Sequence, residues 1–205
     1  MNTTFTALSQ LDSTGLDRLT ALHITVMHTL LSDLGGAVVR KYYQVAQKDP
    51  AVLGLCSVLD NGQIEGWVMG SPAPAALTAR LRQPLPWFAG QMMLLALRRP
   101  GVMLELLRSF VSASDANLLS PGQIELTYIG VAPGAQRRGL GKALLTTFSE
   151  TAFQSGFSSI ALSVETDNPT AVNLYSHQGY KIIQTFHEGR FERHRMVLQH
   201  GSDKP

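Results

Sequence analysis

The sequence predicts an α/β (α+β) fold in which a mixed, mostly antiparallel central sheet is flanked by helices. Two segments predict antiparallel hairpins: residues 51–74 carry two β-rich runs around an Asn-Gly pair, and residues 180–199 carry two more around a Glu-Gly pair. Between them lie an apolar strand at 122–133, a long helical pattern at 136–156 and a second strand at 158–168. This β-α-β unit adds one parallel pair to the sheet.

Apolar residues at helical spacing identify the helices that cover this sheet. Residues 17–34 predict one amphipathic helix ended by a Gly-Gly pair, and a second helix runs through Tyr42 to an Asp-Pro step. Asn168 followed by Pro169 has the pattern of an N-cap and first helical turn. A short helix closed by Gly179 is therefore expected before the last hairpin.

Residues from about 75 to 120 have a different composition and predict a helical insertion. Several prolines come first, and helix-like runs follow at 87–99 and 101–110. Their leucines and arginines would suit a pair of helices at a membrane surface. A packed lid or homodimer surface, bordering the acceptor site, is favoured because one-sided apolar helices are ordinary core elements. The whole chain, 1–205, is expected to form one domain.

Composition and charge exclude several classes of protein. Apolar residues make up 44% of the chain and charged residues 16%, which indicates a folded globule, and a net charge of +2 without a basic block argues against nucleic-acid binding. Cys56 is the only cysteine, and "HEGRFERH" lacks the His-Glu-x-x-His spacing, so no metal is expected. No signal-like start or long apolar run is present, which predicts a cytoplasmic protein.

The stretch "GVAPGAQRRGLGKALL", residues 130–145, predicts an anion site. Backbone N–H groups at the start of a helix lack partners and the helix dipole is positive there, so a glycine-rich turn before a helix collects phosphates. A nucleoside-triphosphate loop would need Lys and Ser or Thr where Leu140 and Gly141 stand, and a dinucleotide fingerprint would need glycine in place of Leu144. The first pattern fails, and the second matches only weakly.

The six residues "QRRGLG", directly after a strand and opening a helix, resemble the pyrophosphate loop of the GNAT superfamily of acyl-CoA-dependent N-acetyltransferases, Gln/Arg-x-x-Gly-x-Gly/Ala. Downstream, "VETDNPTAVNLYSHQGY" is similar to the second family signature, in which Asn, Ala and Leu-Tyr lie on a short helix before Gly and an aromatic residue. The order and spacing of both motifs match over roughly 123–198. The resemblance implies a GNAT-type sheet, acetyl-CoA as donor substrate and an amine acceptor.

The resemblance also implies roles for individual residues. Glu125 would be the general base, and Tyr175 would protonate or orient the thioester sulfur. The backbone of the strand end would bind the pantetheine arm and stabilise the thioester oxygen, and the loop would bind the pyrophosphate. The implied cofactor-binding set comprises Ile129, Gly130, Val131, Gln136, Arg137, Arg138, Gly139, Leu140, Gly141, Lys142, Asn168, Ala171 and Tyr175.

Structural explanations compete with each of these roles. Glu125 could be paired with an arginine such as Arg193, Tyr175 could be a packed helix residue, and Gly130 could either form a bulge or accommodate a bulky neighbour. The leading functional hypothesis is transfer of acetyl from acetyl-CoA to a primary amine of a small molecule (amine or amino sugar) or protein. The alternatives are a catalytically silent acyl-CoA-binding module and a nucleotide-binding phosphotransferase.

Overall fold

A single sheet of seven strands forms the centre of the molecule in the computed structural model, which describes residues 3–98, 100–101, 119–188 and 191–201. The sheet has the order β1-β2-β3-β4-β5-β7-β6, and β4–β5 is its one parallel pair. The predicted mixed, mostly antiparallel sheet is confirmed. The strands are β1 (Thr3–Ala7), β2 (Leu53–Leu59), β3 (Ile64–Ser71), β4 (Gln123–Val131), β5 (Ser159–Glu165), β6 (Lys181–Glu188) and β7 (Phe191–Gln199).

Helices cover both faces of this sheet. Within the described residues they are α1 (Ser13–Val26), α2 (Leu30–Asp33), α3 (Gly36–Gln47), α4 (Pro74–Leu81), α5 (Leu85–Arg98), α6 (Leu140–Gln154) and α7 (Pro169–Ser176). The predicted short helix is present, and the Asn168 carboxamide oxygen accepts from the Ala171 N–H at 3.1 Å. Gly179 closes it with a φ of 90°, a left-handed conformation that glycine adopts without strain.

The amino-terminal region differs from the sequence prediction in two ways. The single helix expected over residues 17–34 is divided, because Met27 is extended (φ −109°, ψ 121°) and Thr29 caps a separate turn, α2. Strand β1 was not predicted at all. Its five residues pair antiparallel with β2, so a partner that lies some fifty residues further along the chain defines this strand.

Two hydrophobic clusters lie on opposite faces of the sheet because successive strand residues point to opposite sides. Trp67 and Val68, adjacent in β3, belong to different clusters. The first cluster packs α1, α3 and α4 on one face and includes Tyr43, which is fully buried. The second packs α6 on the other face around Phe148. The candidate active site lies beside β4, the central strand of the sheet.

The predicted helical insertion begins with α4 and α5. The second predicted run, from residue 102 to 110, lies outside the described residues. On α5, Leu85, Met93 and Leu97 are exposed, whereas Leu95 is buried. Among the helices that the structure describes, none combines the length and apolar character needed to cross a bilayer.

Candidate active site

The backbone ladder between β4 and β5 stops halfway along the two strands. The parallel pairing covers Gln123↔Ser159, Ile124↔Ile160 and Glu125↔Ala161, and no further pair joins the strands although β4 continues to Val131 and β5 to Glu165. The strands therefore diverge beyond Glu125. The result is a V-shaped gap in the centre of the sheet with Glu125 at its apex.

One edge of this gap is formed by the backbone of β4. The Ala132 N–H donates to the Glu65 carbonyl on β3 at 2.7 Å. Because the backbone groups of successive strand residues point to opposite edges, those of Gly130 also face β3, and those of Ile129 and Val131 face the gap. Of the three strand-end residues in the predicted cofactor set, Ile129 and Val131 are thus the two whose backbone groups can meet a ligand in the gap.

Gly130 is explained by its neighbour Trp67 rather than by a bulge. A Cβ atom at position 130 would lie 2.5 Å from Cζ3 of the indole and 3.1 Å from Val26 Cγ2. The register irregularity is instead at Thr127, since Met69 pairs with Tyr128 and Gly70 with Leu126. The expected bulge at Gly130 was therefore wrongly placed, and the accommodation of a bulky residue is the correct reason for the glycine.

Gly130→Ala is expected to destabilise the protein by about 1–3 kcal/mol, because the added methyl must displace the fully buried Trp67 ring. Thermal unfolding would measure the loss. Gly134→Ala is a matched control four residues away, since a Cβ atom there meets nothing within 4 Å. Equal melting temperatures for the two variants would contradict this account of the packing.

The glycine-rich loop leads into α6, whose amino terminus lies beside the gap and has no side-chain cap. Gly139 is the N-cap of α6 with φ 79° and makes no side-chain cap, so the first N–H groups of the helix have no side-chain acceptor there. The first turn carries no acidic residue that would repel an anion. A Cβ atom at Gly139 would meet nothing within 4 Å, and one at Gly141 would be in ordinary contact with Val131 and Leu174.

Side chains around the loop fix its conformation. Gln136 Nε2 donates to the Val131 carbonyl at 3.3 Å, which ties the loop to the end of β4. Arg137 has a φ of 59°, uncommon for a residue with a side chain, and is exposed. Arg138 Nη1 lies 3.4 Å from Glu65 Oε1. Leu140 packs against the second cluster, so the loop offers its backbone and its two arginines rather than this side chain.

Glu125 is held by a buried arginine. Its Oε1 accepts from Arg195 Nη1 at 2.8 Å, and the side chains are 15% and 3% exposed, respectively. The same Nη1 also donates to Ser163 Oγ at 3.1 Å. The arginine suggested from sequence, Arg193, forms an ion pair with Glu165 at 3.6 Å. Sequence reasoning therefore missed Arg195, although both arginines lie on the same face of β7.

Tyr175 lies on α7 and is only 6% exposed. Its ring contacts that of Tyr180 with centroids 5.7 Å apart. Burial raises the pKa of Tyr175 above the ordinary phenol value, so the hydroxyl keeps its proton across the physiological range. A protonated phenol can act as an acid, and the same packing would also suit a purely structural tyrosine.

A cluster of aromatic side chains that the sequence did not predict lies against β4 at Tyr128. His23 of α1 is fully buried, and its Nδ1 lies 2.8 Å from the Tyr43 hydroxyl. Burial lowers the pKa of His23 to about 4, so the imidazole is neutral at physiological pH. Its ring also contacts Tyr128 and Trp67 edge-on or tilted, with centroids 5.0 and 5.7 Å away. The cluster joins α1 and α3 to β4.

A cavity of about 730 Å³ opens between the α1–α3 connection and α5. Ile24, Met27 and Asp33 line one side, and Leu94 and Arg98 of the insertion line the other. None of the sequence-predicted catalytic or cofactor-binding residues lines this cavity. Within the part of the chain that the structure describes, no group of three or more His, Cys, Asp or Glu side chains is arranged to hold a metal ion.

The split sheet, with an uncapped helix after a glycine-rich loop beside it and a carboxylate at its apex, is an α/β fold of the acetyltransferase type. Residues 24–180 match the acetyltransferase (GNAT) family. The match extends over most of the chain, so the protein belongs to the acetyltransferase (GNAT) family.

Individual relatives agree with this assignment. The chain is 34% identical over 94 residues to mycothiol acetyltransferase of Renibacterium salmoninarum, a match that covers 46% of this chain and only 27% of that relative. The ribosomal-protein-S18-alanine N-acetyltransferase of Escherichia coli has the same fold, with a TM-score of 0.61 at 15% identity over 98% of this chain and 96% of that one. Arabidopsis thaliana NAA60, solved with acetyl-CoA, has a TM-score of 0.61 at 12% identity, covering 98% and 100%.

Proposed function

We infer that the protein transfers the acetyl group of acetyl-CoA directly to a primary amine of a small molecule, either an amine or an amino sugar, or of a protein. The observation that carries this proposal is the gap between β4 and β5, which has the α6 amino terminus at its side and Glu125 at its apex. The gap exposes backbone polar groups next to a carboxylate, and the loop supplies donors for phosphate. This combination can bind an acyl-CoA, polarise its thioester carbonyl and take up the amine proton.

The loop residues fit a pyrophosphate group. The N–H groups of Leu140, Gly141 and Lys142 occupy the first turn of α6, where the helix dipole favours negative charge. Open space at Gly139 lets phosphate oxygens approach the backbone, and the exposed arginine pair adds charge. Backbone groups of Ile129 and Val131 would hydrogen-bond the pantetheine arm, and Asn168 and Ala171, at the start of α7, would be further contacts of that arm.

In the proposed reaction, one side chain accepts a proton from the amine and another donates a proton to the leaving sulfur. The amine nitrogen attacks the thioester carbonyl carbon, and Glu125 takes the amine proton directly or through one water. The carbon–sulfur bond then breaks, and the departing sulfur receives a proton from Tyr175, whose burial keeps it protonated. Solvent exchange returns both residues to their starting states.

Calorimetric titration with acetyl-CoA, with ATP and NAD as parallel controls, tests the donor. Release of CoA thiol is then followed with a panel of primary amines: spermidine, glucosamine and a short peptide with a free amino-terminal alanine. Selective binding and amine-dependent thiol release support the proposal. Binding without thiol release would favour the catalytically silent module, and silence toward acetyl-CoA and longer acyl-CoAs would refute the donor assignment.

Combined replacement of Arg137 and Arg138 by alanine is expected to weaken acetyl-CoA binding by about tenfold or more, because charged hydrogen bonds to phosphate are worth about 1.5–3 kcal/mol each. Both side chains are exposed, so the melting temperature should change little. Arg40→Ala, which removes an arginine paired with Asp17 on α1, is the matched control. Unchanged affinity in the double variant would leave the two arginines without their proposed role in binding the pyrophosphate.

A further inference from the structure

Arg195 links all three strands that meet at the apex of the gap. It lies on β7 opposite Ser163 of β5, and its guanidinium reaches Glu125 of β4. Ser163 is two residues beyond Ala161, the last β5 residue paired with β4, so it lies on the same sheet face as Ala161. The guanidinium therefore connects β4 and β5 by side chains where the backbone ladder no longer does.

The energetics of this pair do not favour a purely stabilising role. Arg195 is 3% exposed, and its Nη2 is buried with no hydrogen-bond partner among the described residues. Burying a guanidinium with an unsatisfied donor incurs a desolvation cost that the carboxylate only partly offsets. Well-packed apolar residues in place of such a pair are often equally or more stabilising. What the pair does provide is a fixed position for one carboxylate oxygen.

The chemistry of arginine suits this task. A guanidinium stays protonated under all physiological conditions, so it cannot compete with Glu125 for a proton released in the reaction. Because Nη1 engages Oε1 at 2.8 Å and Ser163 Oγ at 3.1 Å, rotation of the Glu125 side chain is restricted on the side of β5.

We propose that Arg195 is the positioning residue for Glu125, acting through the buried bond to Oε1 to hold the carboxylate in its orientation at the apex of the gap. The inference rests on the proposed function, since it assigns to Arg195 an effect on the base of that reaction. Arg195 itself touches neither donor nor acceptor in this role. Displacing a catalytic group by about 1 Å can cost on the order of 10²-fold in rate, which sets the scale of the effect.

Arg195→Gln is expected to lower kcat by about 10- to 100-fold, measured as thiol release from acetyl-CoA with the most active amine of the panel. The KM for that amine and the dissociation constant of acetyl-CoA should stay within about threefold, since Arg195 contacts neither ligand in this role. Arg195→Lys should recover part of the loss, because the charge is kept and the planar fork is not. Arg193→Gln, two residues earlier on the same face and paired with Glu165, should retain nearly full activity.

Combining Arg195→Gln with Glu125→Gln separates this inference from the proposed function. If Arg195 acts only through Glu125, the double variant should have the same kcat as Glu125→Gln alone. An additional loss of kcat in the double variant, as large as the loss caused by Arg195→Gln in the parent protein, would overturn the positioning role and leave the proposed function intact. Full activity of both Arg195→Gln and Arg195→Lys as single variants would do the same. Full activity of Glu125→Gln would overturn both the base role of Glu125 and the positioning role of Arg195. Binding of acetyl-CoA to that variant would then show that the proposed donor site is still present. Should Arg195→Gln fail to fold, the same comparisons apply to Arg195→Lys.

Discussion

Glu125→Gln is expected to lower kcat by about 10²- to 10⁴-fold with acetyl-CoA and the most active amine, the range typical of a lost general base. The carboxamide keeps the size of the side chain but cannot accept the amine proton. Acetyl-CoA affinity should be retained, because the donor contacts proposed for the loop lie elsewhere. Activity should recover partly at higher pH, where a larger fraction of the free amine is already deprotonated.

Stability must be measured on the same variant, because glutamine leaves Arg195 buried without its counter-charge, and breaking such a pair costs about 3–5 kcal/mol. Rates are therefore compared well below the melting temperature of each protein. Glu165→Gln is the matched control, since it removes a carboxylate that is paired with Arg193 on the neighbouring strand. Turnover that matches the parent protein at every pH would identify Glu125 as a structural ion-pair partner.

Tyr175→Phe is expected to slow thiol release by about 10²-fold, at the lower end of general acid catalysis, with acetyl-CoA binding unchanged. Phenylalanine preserves the packing of this 6% exposed ring and removes only the hydroxyl proton. The loss should appear in kcat and in kcat/KM equally, because a proton given to the leaving sulfur matters only in the transition state. Stopped-flow detection of the free thiol would measure it.

Tyr180→Phe provides the comparison for this prediction. Tyr180 is also buried, its ring centroid lies 5.7 Å from that of Tyr175, and burial likewise raises the pKa of its hydroxyl. Its hydroxyl lies 3.4 Å from Ser149 Oγ on α6, which gives it a structural contact. Equal rates for Tyr175→Phe, Tyr180→Phe and the parent protein would make Tyr175 a packing residue as well.

Local sequence signals predicted most of the elements correctly. The Asn-Gly turn of the β2–β3 hairpin, the Asn168 cap with Pro169 and the glycine-rich start of α6 each depend on residues within one turn of each other. Their conformations follow from steric limits and local hydrogen bonds, so no distant partner is needed. The break between α1 and α2 was missed because the apolar spacing continues across residues 27–29 although the backbone does not.

The sequence by itself determined the family motifs, the order of the strands from β2 onward, and the carboxylate and phenol proposed for the chemistry. Only the tertiary structure decided which arginine meets Glu125, that β4 and β5 part directly after it, and that Trp67 rather than a bulge requires Gly130. Alternation along β7 places Arg193 and Arg195 on one face, but the choice between them depends on the register of three strands. The register between these strands is fixed by packing between segments far apart in the chain, so the sequence around either arginine does not decide which of them meets Glu125.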